Sequence, residues 1–391
     1  MSGGRISIVI PTRDRQAVLA GTLERVSRLV EPGDEIIVVD NGSTDGTVEQ
    51  LAPRFAGVQW IELGQNLSCA ARNVGAAAAQ GELLLMLDDD SWPAPETLPG
   101  LREAFAADSG LGAVACRIRR ADDPRRHDVG GLAGVIVNCG AGIRREPFLD
   151  AGGYPFDFDY YVEEYDLCCR LWLRGWRVEP RGDLAVWHSR TGVNRDSNRM
   201  LRCLVRNNLR VWERYAPAER RERLLAEMRD RYAQVARRES AEAGYAAGLA
   251  EWSQMVRRGG PRLSERAFGE MFGLGVARQR LAAEMASRGW RRVGVWGRGK
   301  GCPQLLELLT ELGIEVAGVY EPGAADESWF GARLRAASAL GTDGVDALIP
   351  GTLSLGAASD ESQVLAERFS DTPIFAALDW NAFAPELTTT A

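Results

Sequence analysis

The chain has 391 residues, 45% of them hydrophobic and 26% charged, with a formal net charge of −7. That length predicts two or three domains, each able to bury a core, and the composition excludes a disordered or collagen-like polymer. The negative balance argues against a general nucleic-acid binder unless the basic residues are segregated along the chain.

From the N-terminus, short β-branched runs alternate with helical patterns, the signature of a parallel α/β sheet. Strands are expected at Ile6 to Ile10, Glu35 to Val39, Val58 to Ile61, Glu82 to Leu87 and Gly112 to Arg117. Leu19, Leu23, Val26 and Val30 recur at helical spacing, and Ser68 is placed to cap a helix of small residues from Cys69 to Ala79. From about Asn194 the composition turns helical and basic, with 22 Arg against 12 Asp and Glu over residues 195 to 292. Gly259-Gly260-Pro261 breaks that stretch as a loop. Near Trp290 a β-α-β pattern returns. Val293 to Trp296 leads into Gly297-Arg298-Gly299-Lys300-Gly301, followed by a helix opened by Pro303, strands at Ile314 to Tyr320 and Asp346 to Ile349, a helix over Glu361 to Phe369 and a last strand at Thr372 to Ala376. The expected organisation is an α/β domain over residues 1–194, a helical segment over 195–289 and a small Rossmann-like α/β domain over 290–391.

Seven cysteines, with Cys168 and Cys169 adjacent and no C-x-x-C, predict reduced thiols and a cytoplasmic setting. No apolar run approaches the ~18 residues of a membrane span, and Ile6 to Ile10 is too short for a signal-peptide core.

Chemistry concentrates where the N-terminal strands end, because ligands of open α/β sheets bind at the strand C-termini. The first strand runs into Pro11-Thr12-Arg13-Asp14, the second into Asp40-Asn41-Gly42-Ser43-Thr44-Asp45-Gly46 and the fourth into Asp88-Asp89-Asp90, while Arg72-Asn73-x-Gly75 lies on the helix between. Three adjacent carboxylates in a partly dehydrated cleft need a cation or raised pKa values. A hard divalent ion, Mg²⁺ or Mn²⁺, meets that need with oxygen ligands. Asn41, Ser43 and Asp45 also read as local turn formers.

The succession P-T-R-D-R, V-V-D-N-G-S-T-D-G-T, N-L-S-C-A-A-R-N-V-G, L-D-D-D and E-E-Y-D-L resembles the family 2 glycosyltransferases of GT-A fold over roughly residues 5 to 215. The resemblance implies a nucleotide-sugar site in which Asp40 contacts the base, Pro11, Thr12 and Asp14 line the nucleotide pocket and Arg72 and Asn73 lie close to it. Asp88 and Asp90 match the D-x-D positions that hold the metal and the ribose-diphosphate, and Asp89 would lean toward the donor sugar. Glu164, in Glu163-Glu164-Tyr165-Asp166-Leu167, stands where the family places its base, with Asp166 the runner-up and Glu163 orienting the loop. His188 lies where related enzymes complete the metal shell with an imidazole, whereas His127 reads as loop. Asn138 to Arg144 resembles the glycine-rich strand on the acceptor side, with a plain β-bulge as the alternative.

The expected activity is a metal-dependent inverting transfer of a sugar from a nucleoside-diphosphate donor to a hydroxyl acceptor, whether glycan, lipid-linked or small-molecule. A sugar-phosphate nucleotidyltransferase is the enzymatic alternative, opposed by Pro11-Thr12 in place of a glycine-rich phosphate loop, and a non-catalytic nucleotide-sugar-binding scaffold is the other. The basic stretch over residues 195 to 292 leaves two readings: peripheral contact with an anionic inner membrane face, or pairing with acids of the chain itself, as Glu219 and Arg223 allow. Gly297-x-Gly299-x-Gly301 and Glu321 lack the spacing of a dinucleotide site, since Cys302 occupies its third glycine. That module is therefore expected to serve dimerisation or acceptor contact.

Overall fold

A computed structural model describes residues 4–128, 131–189, 196–255 and 259–384. The chain divides into two compact units, Met1–Asp128 with Gly134–Glu265, and Val129–Ala133 with Arg266–Ala391.

The first unit is built on strands β1 (Ile6–Thr12), β2 (Glu35–Asp40), β3 (Val58–Glu62), β4 (Leu83–Met86), β5 (Ser91–Pro93), β6 (Leu111–Arg120), β7 (Ala141–Arg144) and β8 (Arg177–His188). Its helices are α1 (Gln16–Val26), α2 (Thr47–Leu51), α3 (Ala71–Ala78), α4 (Thr97–Ala107), α5 (Arg145–Asp150), α6 (Glu163–Leu173), α7 (Ser197–Tyr215), α8 (Arg221–Glu239) and α9 (Glu242–Gln254). The eight strands form one sheet in the order β3-β2-β1-β4-β7-β6-β8-β5. β1 is parallel to β2 and β4, and β2 to β3, but β7 runs antiparallel between β4 and β6. The sheet is therefore mixed rather than wholly parallel. β1 and β4 are buried on both faces through Ile6, Ile8, Val9, Ile10 and Leu83 to Met86, with the buried Ser7 donating its hydroxyl to Glu35.

Small residues let α3 lie close to the sheet. A Cβ on Gly75 would stand 2.5 Å from Val9 and 3.1 Å from Val39, so this position has no room for a side chain. Ser68 does not cap that helix as expected. It belongs to a 3-10 turn with φ of 51°, its own N–H donating to Asn66 Oδ1 at 2.8 Å. The glycines of the Asn138 to Arg144 stretch are filled in by the core: a Cβ on Gly140, in the turn before β7, would meet Ile118 at 2.4 Å, and one on Gly142 of β7 would meet Leu101 at 2.4 Å, so they serve close packing.

The second unit contains α10 (Glu265–Phe272), whose first residue belongs to the first unit, then α11 (Leu274–Arg288), β9 (Arg292–Trp296), α12 (Cys302–Glu311), β10 (Glu315–Glu321), β11 (Glu327–Trp329), β12 (Ala332–Ala336), β13 (Ala347–Pro350) and α13 (Leu355–Arg368). Its five strands follow the order β11-β12-β10-β9-β13 over a core of Trp296, Tyr320, Leu340, Leu348 and Leu365. The β11–β12 hairpin was not legible in the sequence, and the expected strand at Thr372 to Ala376 is reduced to a single bridge between Leu348 and Ile374. The expected helix over Glu361 to Phe369 begins earlier, at Leu355. Glu321 spends its carboxylate on Arg298, whose Nε and Nη2 donate at 3.0 and 2.7 Å. All seven cysteines are buried free thiols. No helix among the described residues is long and apolar enough to cross a membrane.

Candidate active site

Strand register assembles the site. Thr12 pairs with Asp40 across β1 and β2, and β4 ends beside them with Leu87 N–H donating to Val9 O at 3.1 Å, so three polar strand ends share one sheet edge. The chain then doubles back through β5, where Ser91 lies opposite His188 of β8 and Ser189 N–H donates to Asp90 O at 2.9 Å. That ladder brings a histidine nearly a hundred positions downstream to the aspartate row.

A cleft of about 200 Å³ opens at this edge, lined by Pro11, Thr12, Arg13, Arg15, Asn41, Ser68, Arg72, Asp88, Asp89 and Tyr160. Of the expected nucleotide residues, Pro11, Thr12, Arg72, Asp88 and Asp89 thus line it. The others support its walls. Asp14, with φ of 51°, accepts from Thr44 N–H at 2.6 Å, and Asp40 accepts from Ser43 N–H at 2.9 Å. Asn41 bridges the main chain of Leu67 and Ser68 at 3.0 and 3.1 Å, a long-range contact rather than the expected local turn, whereas Asp45 accepts from Thr47 N–H at 3.0 Å in a local turn. Asn73 turns away from the cleft to pin Tyr154, donating to its carbonyl and accepting from its N–H at 2.8 Å each.

The three aspartates are matched by cations of the protein. Arg15 bridges Asp89 and Asp90 at 2.8 Å each, Arg72 pairs with Asp88, and His188 Nε2 lies 3.0 Å from Asp90 Oδ1 and 3.9 Å from Asp88 Oδ2. Asp89, at the cleft wall, accepts from the Thr12 hydroxyl at 2.9 Å and pairs with Arg15. Burial pushes Asp89 up to about 7 against the opposing pull of Arg15 and Thr12. His188 Nδ1 donates to Asp128, which turns Nε2 toward Asp90. Burial alone would lower the imidazole, but the hydrogen bonds to Asp128 and Asp90 outweigh it and raise the pKa to about 10.

Ligand atoms of Asp88, Asp90 and His188 lie within 4.8 Å of one another, and a carboxylate behind the imidazole is the arrangement that orients a metal-binding histidine. Two carboxylate oxygens and one nitrogen suit Mn²⁺ or Mg²⁺ with the remaining positions left to other oxygens. The donor set therefore fits a divalent cation.

On the other side of Arg72, the first turn of α6 carries three acids. Glu163 is buried, accepts from Asn138 Nδ2 at 2.8 Å and is pushed upward by burial and by its neighbour Glu164. Asp166 is taken up structurally: Tyr215 OH donates at 2.9 Å, and Arg170 Nε and Nη2 lie at 2.8 and 2.7 Å. Glu164 is half-buried at the start of the helix. Sequence reasoning missed Arg15, Asp128 and Tyr160. The demand of three carboxylates for nearby cations could have found Arg15, but nothing local marks Asp128, 60 positions before its histidine. His127 is not open loop either, being buried and accepting from Arg117 Nε at 2.8 Å.

Residues 7–149 match the family model for glycosyl transferase family 2. Among curated proteins, the chain is 31% identical over 176 residues to the uncharacterized protein y4gI of Sinorhizobium fredii, covering 43% of this chain and 18% of that protein. It is 29% identical over 174 residues to the undecaprenyl-phosphate 4-deoxy-4-formamido-L-arabinose transferase of Aeromonas hydrophila, covering 42% and 52%. The chain thus spans about half the length of these relatives or less. Among solved structures, TarS residues 1–349 of S. aureus, in complex with UDP-GlcNAc, superposes with a TM-score of 0.50 at 16% identity, covering 72% of this chain and 87% of that one. That likeness is one of fold. The curled, parallel-rich sheet and the family match together make residues 7–149 a family 2 glycosyltransferase domain of GT-A fold.

Proposed function

We propose that the chain transfers a sugar from a nucleoside-diphosphate donor to a hydroxyl acceptor with inversion, Asp88, Asp90 and His188 holding a divalent cation and Glu164 acting as base. The observation that carries this is the pairing of the Asp88–Asp90–His188 donor set, backed by Asp128, with a cleft whose walls are strand ends. When bound, Mn²⁺ or Mg²⁺ supplies positive charge that stabilises the departing diphosphate. Pro11, Thr12 and the turns stiffened by Asp14 and Asp40 receive the nucleotide, Arg72 adds charge beside Asp88, and Asn73 fixes the Tyr154 loop. The acceptor oxygen attacks the anomeric carbon, the bond from that carbon to the diphosphate breaks, and the acceptor proton passes to Glu164. A single base suffices because inversion is one displacement.

Asp166 supports α6 in this scheme, its carboxylate being occupied by Arg170 and Tyr215. Glu164→Gln keeps shape but cannot accept a proton, so turnover should fall about 10²–10⁴-fold while affinity for nucleoside diphosphate with Mn²⁺ stays within about twofold. Parallel steady-state assays and calorimetry check this. Wild-type turnover by Glu164→Gln overturns the assignment.

A further inference from the structure

The segment that delivers α6 to the cleft is held in backbone that its residues disfavour. Asp159, Tyr161 and Val162 have φ of 60°, 70° and 74°. This left-handed region crowds any Cβ, and a β-branched valine most of all. Such geometry persists only where surrounding structure over-determines it.

Here the restraint comes from α7. Asn207, fully buried, directs its Nδ2 to three carbonyls of that segment, Phe158 at 2.9 Å, Tyr160 at 3.2 Å and Tyr161 at 2.8 Å. Two N–H groups shared among three acceptors fix the path of a loop more tightly than any one bond. The amide is itself aimed by Arg206, whose Nε donates to Asn207 Oδ1 at 2.9 Å while Nη2 donates to Phe158 O at 2.8 Å. Immediately beyond the clamp, Val162 precedes the first turn of α6 with Glu163 and Glu164, and inside it Tyr160 lines the cleft.

We infer that Asn207 is a positioning residue for sugar transfer: by clamping the carbonyls of Phe158, Tyr160 and Tyr161 in the strained segment before α6 it sets where Glu164 stands relative to the donor cleft. This rests on the reading of Glu164 as base. Asn207 touches no reacting atom and acts through the loop. Tyr160 lies within the clamped segment, but Thr12, Arg72 and the aspartate row lie on other elements, so most of the donor-binding groups are independent of the clamp.

The test is a double-mutant cycle in the full chain, reading nucleoside diphosphate released in the presence of Mn²⁺ from the best-used member of a panel of UDP-, GDP- and dTDP-hexoses. Asn207→Ser should lower kcat 10- to 100-fold, with donor KM and nucleoside-diphosphate affinity within about twofold. In the Glu164→Gln background the same change should cost less than a further twofold, because the group it positions is already disabled. Arg206→Gln, which removes the guanidinium that aims the amide, should show the same split with a smaller loss. Full additivity with Glu164→Gln, a shift in KM in place of kcat, or loss of nucleoside-diphosphate binding and of a cooperative melt in both variants overturns the inference, since Asn207 would then act independently or simply hold the fold. Wild-type turnover by Glu164→Gln alone removes the premise instead, a failure distinct from the other three.

Discussion

At the aspartate row, the balance of charge explains why three adjacent carboxylates are tolerated. Arg15, Arg72 and His188 stand against Asp88, Asp89, Asp90 and Asp128, and each of the four acids has a cationic partner among them. That three acids after a buried strand would need cations beside them was legible in the sequence, and Arg15, Arg72 and His188 are those groups here. Asp128 was not, because it reaches His188 from a loop 60 positions upstream that no local pattern marks. Asn73 was legible as important but not in its role, since an amide serves a loop backbone as readily as a ligand. In the proposed metal site Asp128 would orient His188 without itself being a ligand. Asp128→Asn should therefore weaken Mn²⁺ binding about 10–100-fold, measured by calorimetry, and leave nucleotide binding without metal unchanged. Unaltered Mn²⁺ affinity would remove His188 from the ligand set.

Element by element, the β-α-β succession through β4 follows from runs of apolar residues, β-branched in β1 and β2 and Leu-Leu-Leu-Met in β4, that a two-sided sheet would bury. The antiparallel β7 and the return of β8 beside β5 do not, because strand direction is set by loop path and not by composition. α6 shows how one short motif divides its labour. Glu164 faces the chemistry in the proposed scheme, whereas Asp166 is bound to Arg170 and Tyr215, the hydroxyl reaching across from α7. Removing a buried carboxylate strands its partners, so Asp166→Ala should cost about 3 kcal/mol in denaturant unfolding. The turnover of the folded fraction should change far less than in Glu164→Gln. A large fall in turnover with unchanged stability would transfer the role of base to Asp166.

For the molecule as a whole, the excess of arginine over residues 195 to 292 was visible in the sequence, but its partners were not. Arg202 and Arg206 meet Glu251 at 3.1 and 3.2 Å, Arg210 meets Asp157 at 2.6 Å and Arg280 meets Asp379 at 3.0 Å, so acids of the chain itself absorb part of it. In the second unit, burial and the nearby Glu321 raise Glu361 to about 7. An unfolded glutamate titrates near 4.3, so between that pH and about 7 the folded state keeps a proton that the unfolded chain releases. Stability contributed by protonated Glu361 is therefore full below pH 4 and lost as pH rises through 7. Glu361→Gln should stabilise this unit at pH 8 by up to about 3 kcal/mol and leave it unchanged at pH 4, as followed by thermal melts at both values. The central claim, that the row Asp88 to Asp90 with His188 handles a nucleotide-sugar through a divalent cation, is tested most directly by nucleoside diphosphate release from a panel of nucleotide sugars. Wild type and Asp90→Asn are compared with Mn²⁺ and with chelator. The account predicts turnover of at least one donor that requires Mn²⁺ or Mg²⁺ and falls about 10²-fold or more in Asp90→Asn, a loss of about 3 kcal/mol of transition-state stabilisation. Turnover that survives both chelator and Asp90→Asn, or a folded protein that turns over no donor at all, would contradict it.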